Sequence, residues 1–195
     1  MKTIAALTLS SFAAAGLFAG STGNVAETQN YSIDNSHSAV IFRIKHLGVS
    51  YCYGRFNEIE GRLSLSDSDD SANRLEIKIK AASIDSNDKQ RDDHLRGPDF
   101  FNVKQFPEIT FKSKTFKKTA GSKYMVTGDL TLHGVTKSVS VDLDHVGSGK
   151  DPWGGERTGF EGTFEVKRSE YGISYMPGGL GEDVRITVSL EGVKK

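Results

Sequence analysis

The chain has 195 residues, a formal net charge of zero from 25 basic and 25 acidic side chains, and one cysteine. The balanced charge argues against a global field that attracts nucleic acid or an anionic membrane surface, and we expect no nucleic-acid partner. Because Cys52 can form no internal disulfide, the fold must be stabilised by burial of apolar surface.

The N-terminus has the pattern of an export signal. Lys2 precedes an apolar run from Ile4 to Ala19, and small residues follow. We predict a signal peptide over residues 1–21, a flexible leader over residues 22–30 and one folded domain over residues 31–195. The apolar run is shorter than the roughly 20 residues of a spanning helix. We therefore expect no stable membrane span after signal removal, although a retained anchor is the alternative.

Eight segments of the folded part alternate apolar and polar residues with a period of two, which is typical of strands with one buried face. The clearest is residues 75–81, in which charged residues occupy every second position. The apolar positions are, in chain order, Val40/Phe42/Ile44, Ile59/Gly61/Leu63/Leu65, Leu75/Ile77/Ile79/Ala81, Ile109/Phe111, Val126/Gly128/Leu130/Leu132, Val139/Val141/Leu143, Phe160/Gly162/Phe164/Val166 and Val184/Ile186/Val188/Leu190. The pattern predicts an all-β fold, an antiparallel sheet of eight strands curled on itself into a barrel.

One segment between these strands, residues 87–95, lacks the alternation. Asn87 is followed three residues later by Gln90, a capping arrangement that predicts a short helix. Gly97-Pro98 ends the segment, and a cluster of phenylalanines follows it at Phe100, Phe101 and Phe106. We expect this helical insert to roof one end of the barrel.

The insert also carries the densest polar group of the chain, residues 91–96. Asp92 and Arg96 lie four apart, so they can pair on one face of a helix. In one interpretation these residues only cap and anchor the insert. In the other, Arg91, His94 or Arg96 lines the barrel mouth and meets an anionic or polar head group of a ligand.

Three glycines, Gly61, Gly128 and Gly162, occupy inward-facing positions in their strands. An eight-stranded barrel can be filled by side chains or can hold one ligand. Missing side chains on three strands favour an unfilled channel. Alternatively, these glycines mark bends or bulges that let the sheet coil, and the two interpretations are compatible.

The chain contains no motif of a nucleophile elbow, a zinc protease, a phosphate loop or a dinucleotide site. Its five histidines, His37, His46, His94, His133 and His145, lack the spacing of metal ligands within a helix or strand. We therefore predict no catalytic set, no metal and no cofactor. The minority alternative is an enzyme acting on an amphiphile at the barrel mouth, with His94 or His46 as acid or base.

Several blocks of the chain together resemble the YceI-like lipid/polyisoprenoid-binding proteins, from about Tyr31 to the C-terminus. The blocks are His37–Gly48 (HSAVIFRIKHLG), Gly54–Phe56, Arg91–Arg96 (RDDHLR), Asp99–Phe101, Phe106–Phe111 (FPEITF), Gly128–Lys137 (GDLTLHGVTK), Asp151–Gly155 (DPWGG) and Arg157–Phe160. Cys52 stands where the family leads us to expect a bulkier apolar residue, which would widen a channel locally.

The resemblance implies an extended, lipocalin-like eight-stranded antiparallel β-barrel in the periplasm, with a long apolar channel for an isoprenoid or a similar long-chain amphiphile. The expected function is carriage of that lipid without catalysis. The expected channel wall comprises Phe42, Ile77, Phe111, Leu130, Phe160 and Phe164, beside the three glycines. The alternative is a stress-response module that binds another protein and has a filled barrel.

Overall fold

Eleven strands and one short helix make up the part of the chain that the computed structural model describes, residues 27–195. The predicted signal peptide and most of the leader lie outside the described residues. The strands are β1 (Gln29–Ile33), β2 (Ala39–His46), β3 (Ser50–Phe56), β4 (Ile59–Leu65), β5 (Arg74–Lys80), β6 (Ile84–Asp85), β7 (Glu108–Ala120), β8 (Lys123–Leu132), β9 (Val135–Lys150), β10 (Glu156–Lys167) and β11 (Leu180–Lys194), and the helix is α1 (Lys89–Leu95). Single 3₁₀ turns lie at Asn35–His37, Asp70–Ala72, Ala81–Ser83 and Arg168–Tyr171.

Among residues 27–195, the structure contains no helix with the length and apolar character that crossing a membrane requires.

Eight strands close an antiparallel ring in the order β1-β4-β5-β7-β8-β9-β10-β11, with β1 and β11 paired at the closure. The predicted eight-stranded barrel is therefore confirmed. The eight strands of the ring differ from the eight alternating segments of the sequence at one strand: β1 belongs to the ring and β2 does not. β2 pairs with residues 180–189 of β11 and carries β3 and β6 as an extension, whereas the closing strand is β1, paired with residues 192–194.

The alternation in β5 shows how the sequence produces the wall. Leu75, Ile77 and Ile79 are buried, and each contributes roughly 1.5–3 kcal/mol by leaving water. The intervening charges point outward and pair with charges on neighbouring segments, as Glu76 does with Lys112 of β7 at 3.2 Å. Such exposed pairs contribute little stability, so the inward row determines the fold.

Aromatic side chains fill one end of the barrel, here called the filled end. Phe116, Tyr124 and Phe160 pack against one another edge to face, with ring centroids 5.3–5.9 Å apart. Phe116 is 1% exposed and Phe160 is 3% exposed. Neighbouring Val126 is also fully buried, so the side chains of residues 27–195 leave no open bore through this end.

Helix α1 lies at the opposite end. Asp88, not Asn87, caps it, and the Asp88 carboxylate accepts a hydrogen bond from the Arg91 amide at 2.8 Å. Asn87 precedes the cap with a φ of 64°, a left-handed conformation that asparagine tolerates. The predicted helix is confirmed, but its predicted cap is corrected by one residue, from Asn87 to Asp88.

The predicted side-chain pair between Asp92 and Arg96 does not form. Asp92 is buried and accepts hydrogen bonds from the amide and hydroxyl of Ser86, at 2.8 and 2.5 Å. Arg96 turns the other way and pairs with Asp93 at 3.2 Å. Asp92 thus ties α1 to the chain after β6, and Arg96 also donates to the carbonyls of Ala82 and Ile84. These bonds favour the anchoring interpretation for the two residues.

Candidate functional site

An apolar cavity of about 590 Å³ lies between the filled end and α1. Inward-facing side chains of β2, β5 and β7 to β11 form most of its wall, and α1 with the following phenylalanines covers one side. The volume falls in the range of sites that hold small organic ligands. The expectation of a hollow barrel is therefore met over part of its length, and the alternative of a filled barrel does not fit this cavity.

Five of the six predicted wall side chains line the cavity: Phe42, Ile77, Phe111, Leu130 and Phe164. Phe160 does not, because its ring belongs to the aromatic cluster of the filled end and also packs on His145, with centroids 4.9 Å apart. Phe160 lies four residues from Phe164 on the same face of β10, so the end of the cavity falls between them. That the five residues bind a ligand stays a prediction.

The three glycines do not line the cavity either, because neighbouring atoms occupy the space beside them. A Cβ atom on Gly128 would lie 2.4 Å from the Lys112 carbonyl oxygen and 2.7 Å from the Phe111 ring. On Gly61 it would lie 2.5 Å from a β5 carbonyl, and on Gly162 it would lie 2.5 Å from a β9 carbonyl. The glycines therefore permit close approach of adjacent strands, and the open-channel interpretation of their missing side chains is corrected.

Cys52 lies on the cavity wall, on β3 opposite Ile44 of β2, which also lines the cavity. Its thiol is half-buried and free. The position agrees with the expectation that residue 52 borders the channel, where a small side chain leaves more space.

The mouth of the cavity lies where its lining residues become exposed to solvent. His94 on α1 has 46% of its side chain exposed, and Tyr175 and Met176, in the loop after β10, are 42% and 38% exposed. The His94 imidazole packs edge-on against Phe100, and its Nε2 lies 2.9 Å from a carboxylate oxygen of Asp99.

Of the three predicted head-group residues, Arg91 and His94 line the cavity and Arg96 does not. Arg91 donates from Nε and Nη2 to the hydroxyl and carbonyl of Ser86, both at 2.7 Å. Its Nη1 has no hydrogen-bond partner among the described residues, and an arginine offers five donors. Arg96 instead donates to the carbonyls of Ala82 and Ile84, at 2.8 and 2.7 Å, so it anchors the helix.

Arg168 is a cavity residue that the sequence interpretation missed. It is 5% exposed and donates to the carbonyl oxygens of Gly181, Ile173 and Tyr175 at 2.9, 3.1 and 2.7 Å. These bonds hold the loop that carries Tyr175 over the cavity. The sequence does contain a signal for it. Arg168 lies two residues after Val166 and four after Phe164, so the alternation of β10 places this charged residue on the inward face.

The enzyme alternative names two histidines, His46 and His94, as acid or base. His46 and His94 both line the cavity, yet within residues 27–195 neither hydrogen-bonds a serine, threonine or cysteine side chain that it could activate.

Three side chains away from the cavity, Asp34, His37 and Glu191, come within 4.8 Å of one another as metal ligands do. The Arg157 guanidinium already lies among them, with Nη1 2.9 Å from Asp34 Oδ2. Hydrogen bonds from Ser36, from His37 and from Arg157 hold the pKa of Asp34 well below its usual range. The cluster is thus a charge-compensated network in which arginine occupies the place of a metal ion.

Comparison with known proteins gives a consistent result. A family model described as a YceI-like domain matches residues 31–192. A UPF0312 protein of Pseudomonas aeruginosa is 41% identical over 196 residues, which cover 100% of this chain and 98% of the relative.

Two solved structures share the fold. Burkholderia cenocepacia BcnA superposes with a TM-score of 0.75 at 25% identity, over 82% of this chain and 98% of that one. A polyisoprenoid binding domain from Saccharophagus degradans superposes with a TM-score of 0.65 at 15% identity, over 85% of this chain and 98% of that domain. The second likeness extends to the fold alone.

Proposed function

This chain belongs to the YceI-like family, and from that premise we propose that it binds a polyisoprenoid or a similar long-chain amphiphilic lipid in the barrel cavity. The observation that carries the proposal is an apolar cavity of about 590 Å³ that ends at a filled end and opens beside Arg91 and His94. The polyisoprenoid ligand named for the Saccharophagus degradans domain supports the same ligand class.

The physical basis is the transfer of a hydrocarbon chain out of water. Each buried methylene group contributes about 0.8 kcal/mol, so a chain needs few polar contacts to bind. Part of this gain offsets the lost freedom of the ligand. The chain would lie against Phe42, Phe111 and Phe164, and the head group would lie at the mouth, beside Arg91 and His94.

The proposed role is that of a carrier in the periplasm, and it includes export directed by residues 1–21. A lipid carrier is needed where an amphiphile must cross an aqueous compartment. Mass spectrometry of the protein recovered from the periplasmic fraction tests this part, since an intact N-terminus or recovery only with the cytoplasm would contradict it.

The ligand itself is tested on protein purified from cells, by native mass spectrometry and by lipid extraction. We expect an isoprenoid or another long-chain lipid to co-purify, and dansyl-undecanoic acid to bind the delipidated protein. Val188→Trp places an indole in the cavity and should abolish probe binding. Val146→Trp, on an exposed position of β9, is the matched control and should bind normally.

Protein that repeatedly carries no lipid, binds no dansyl probe and shows no thermal shift with isoprenoid lipids would overturn the proposal. Equal binding by Val188→Trp and Val146→Trp would overturn the placement of the ligand in the cavity.

A further inference from the structure

The hairpin of β2 and β3 forms one wall of the cavity and has a second face that points to solvent. Phe42 and Cys52 point inward, whereas Arg43, Lys45 and Tyr51 alternate with them and point outward. The Arg43 guanidinium lies over the Tyr51 ring, 4.3 Å from its centroid. The outer face thus combines cations with exposed aromatic rings.

Two exposed apolar residues form the tip of the same hairpin. Leu47 is 55% exposed and Val49 is 82% exposed. The Leu47 amide donates to the Gly179 carbonyl at 2.7 Å, which places the tip against the loop that carries Met176 at the cavity mouth. Single exposed apolar residues are common, but here they lie together beside the opening of a lipid-sized cavity.

The cations of this outer face lack the pairing seen elsewhere on the barrel. Among the described residues, Arg43, Lys45, Arg55 and Arg185 form no salt bridge, while ion pairs connect other outward rows. Asp85 stands opposite Arg55, and Glu165 stands opposite Arg185, across neighbouring strands. Arg43 and Lys45 therefore provide a local excess of positive charge, which the zero net charge of the whole chain conceals.

We propose that this hairpin face, comprising Arg43, Lys45, Leu47, Val49, Tyr51 and Tyr53, docks on the surface of an anionic lipid bilayer. Leu47 and Val49 would insert among the head groups, the tyrosines would lie at the interface, and the cations would meet anionic lipids. The cavity mouth would then face the membrane, where a lipid can enter or leave. This goes beyond lipid binding in the cavity and rests on the outer surface alone.

A bilayer fits this face better than a protein partner does. The apolar part is a short, protruding tip of two side chains, far smaller than the roughly 800 Å² that each partner buries in a stable protein interface. A fluid surface of lipid head groups needs no complementary shape. Its anionic lipids supply the acidic partners that Arg43 and Lys45 lack among the described residues.

The test is cosedimentation of the full mature protein with vesicles of phosphatidylcholine alone or with one-third phosphatidylglycerol. We expect binding to the anionic vesicles only, weakened by added salt. Leu47→Ser with Val49→Ser should lower the partition coefficient at least about tenfold. Arg43→Gln with Lys45→Gln should lower it by about fivefold for each cation removed.

The matched control is Val146→Ser with Trp153→Ser, since these two side chains are 71% and 86% exposed on the β9–β10 hairpin, away from the mouth. The control should bind vesicles as the wild type does. All variants should bind dansyl-undecanoic acid normally, which separates a failure of docking from a failure of the proposed function.

Docking would be overturned by no binding to anionic vesicles, by equal binding to neutral vesicles, or by loss of binding in the control variant only. A dimer in light scattering that Leu47→Ser with Val49→Ser dissolves would assign the tip to a second copy of the chain and would also overturn it. Capture of one protein partner that needs Val49, without vesicle binding, would have the same effect.

Discussion

The phenol ring of Tyr175 meets the imidazole of His94 edge-on, with ring centroids 5.1 Å apart and an angle of 81° between the planes. His94 belongs to α1 and Tyr175 to the loop after β10, so the contact joins the two segments that border the cavity mouth. Phe100 completes the cluster, 5.1 Å from Tyr175.

Breaking this contact should speed the release of a bound lipid. An aromatic pair contributes about 0.5–1.5 kcal/mol beyond burial, so Tyr175→Ala should raise the dissociation rate about three- to tenfold. Stopped-flow release of dansyl-undecanoic acid measures the effect, with Trp153→Ala as the control. An unchanged release rate would show that the contact does not restrain the mouth.

Two phenylalanines on one face of β10 should give opposite results. Phe160→Ala removes a packed ring from the filled end and should lower the free energy of unfolding by about 3–5 kcal/mol, with lipid affinity unchanged. Phe164→Ala faces the cavity, so it should lower affinity about tenfold and cost less stability. Urea unfolding and probe titration at 20 °C distinguish the two, and loss of affinity in both variants would contradict the assigned end of the cavity.

Gly128→Ala should destabilise the barrel without closing the cavity. Its Cβ would lie 2.8 Å from the Ser113 Cα, so strand β7 would have to move, at a cost of about 1–3 kcal/mol. Gly147→Ala meets nothing within 4 Å and should stay within about 0.5 kcal/mol of the wild type. If Gly128→Ala instead lowered lipid affinity and left stability unchanged, the open-channel interpretation of the glycine would be restored.

The Asp34 network should make stability depend on acid. Since the pKa of Asp34 is held below its ordinary value of 3.8, its stabilising contribution is complete above that pH and is lost as the pH falls through the native pKa. Asp34→Asn should lower the free energy of unfolding by about 1–2 kcal/mol at pH 7, and the difference from the wild type should shrink below pH 3.8.

Urea unfolding at pH 7, 5 and 3 measures this difference. Asp142→Asn is the control, because the Asp142 carboxylate is exposed and accepts no hydrogen bond among residues 27–195. A deficit in Asp34→Asn that stayed constant from pH 7 down to pH 3 would argue against the network as its cause.

The alternation of apolar and polar residues was sufficient to predict strands that have one face in the core and the other in solvent, as residues 75–80 do. It failed for β3, where Tyr51 and Tyr53 are 50% and 56% exposed while Cys52 lines the cavity, so large apolar residues are not confined to one face. It also failed for β1, whose five residues are too few to show a period. Local chemistry predicted α1, and the cap moved by one residue because Asp88 and Asn87 compete for the same role.

The site was less predictable, because it depends on contacts between distant segments. The alternation of inward and outward residues correctly placed Phe42 and Phe164 on the cavity wall. It could not show that Phe160, on the same face of β10, belongs to the filled end. It could not show which neighbours fill the space beside Gly61. The contribution of Tyr175 to the mouth depends on the three-dimensional course of an irregular loop, and the bonds of Arg168 that hold this loop have no periodic signature.

The position of strand β1 in the barrel limits where the N-terminus of the chain can be cleaved. Within residues 27–195, its five residues supply the only bridge between β4 and β11. A protease that removed Gln29–Ile33 would leave residues 62–65 of β4 and 192–194 of β11 without their partners on β1. Such exposed strand edges template intermolecular sheet growth and aggregation. Whatever processing the N-terminus undergoes must therefore spare this strand if the product is to remain monodisperse.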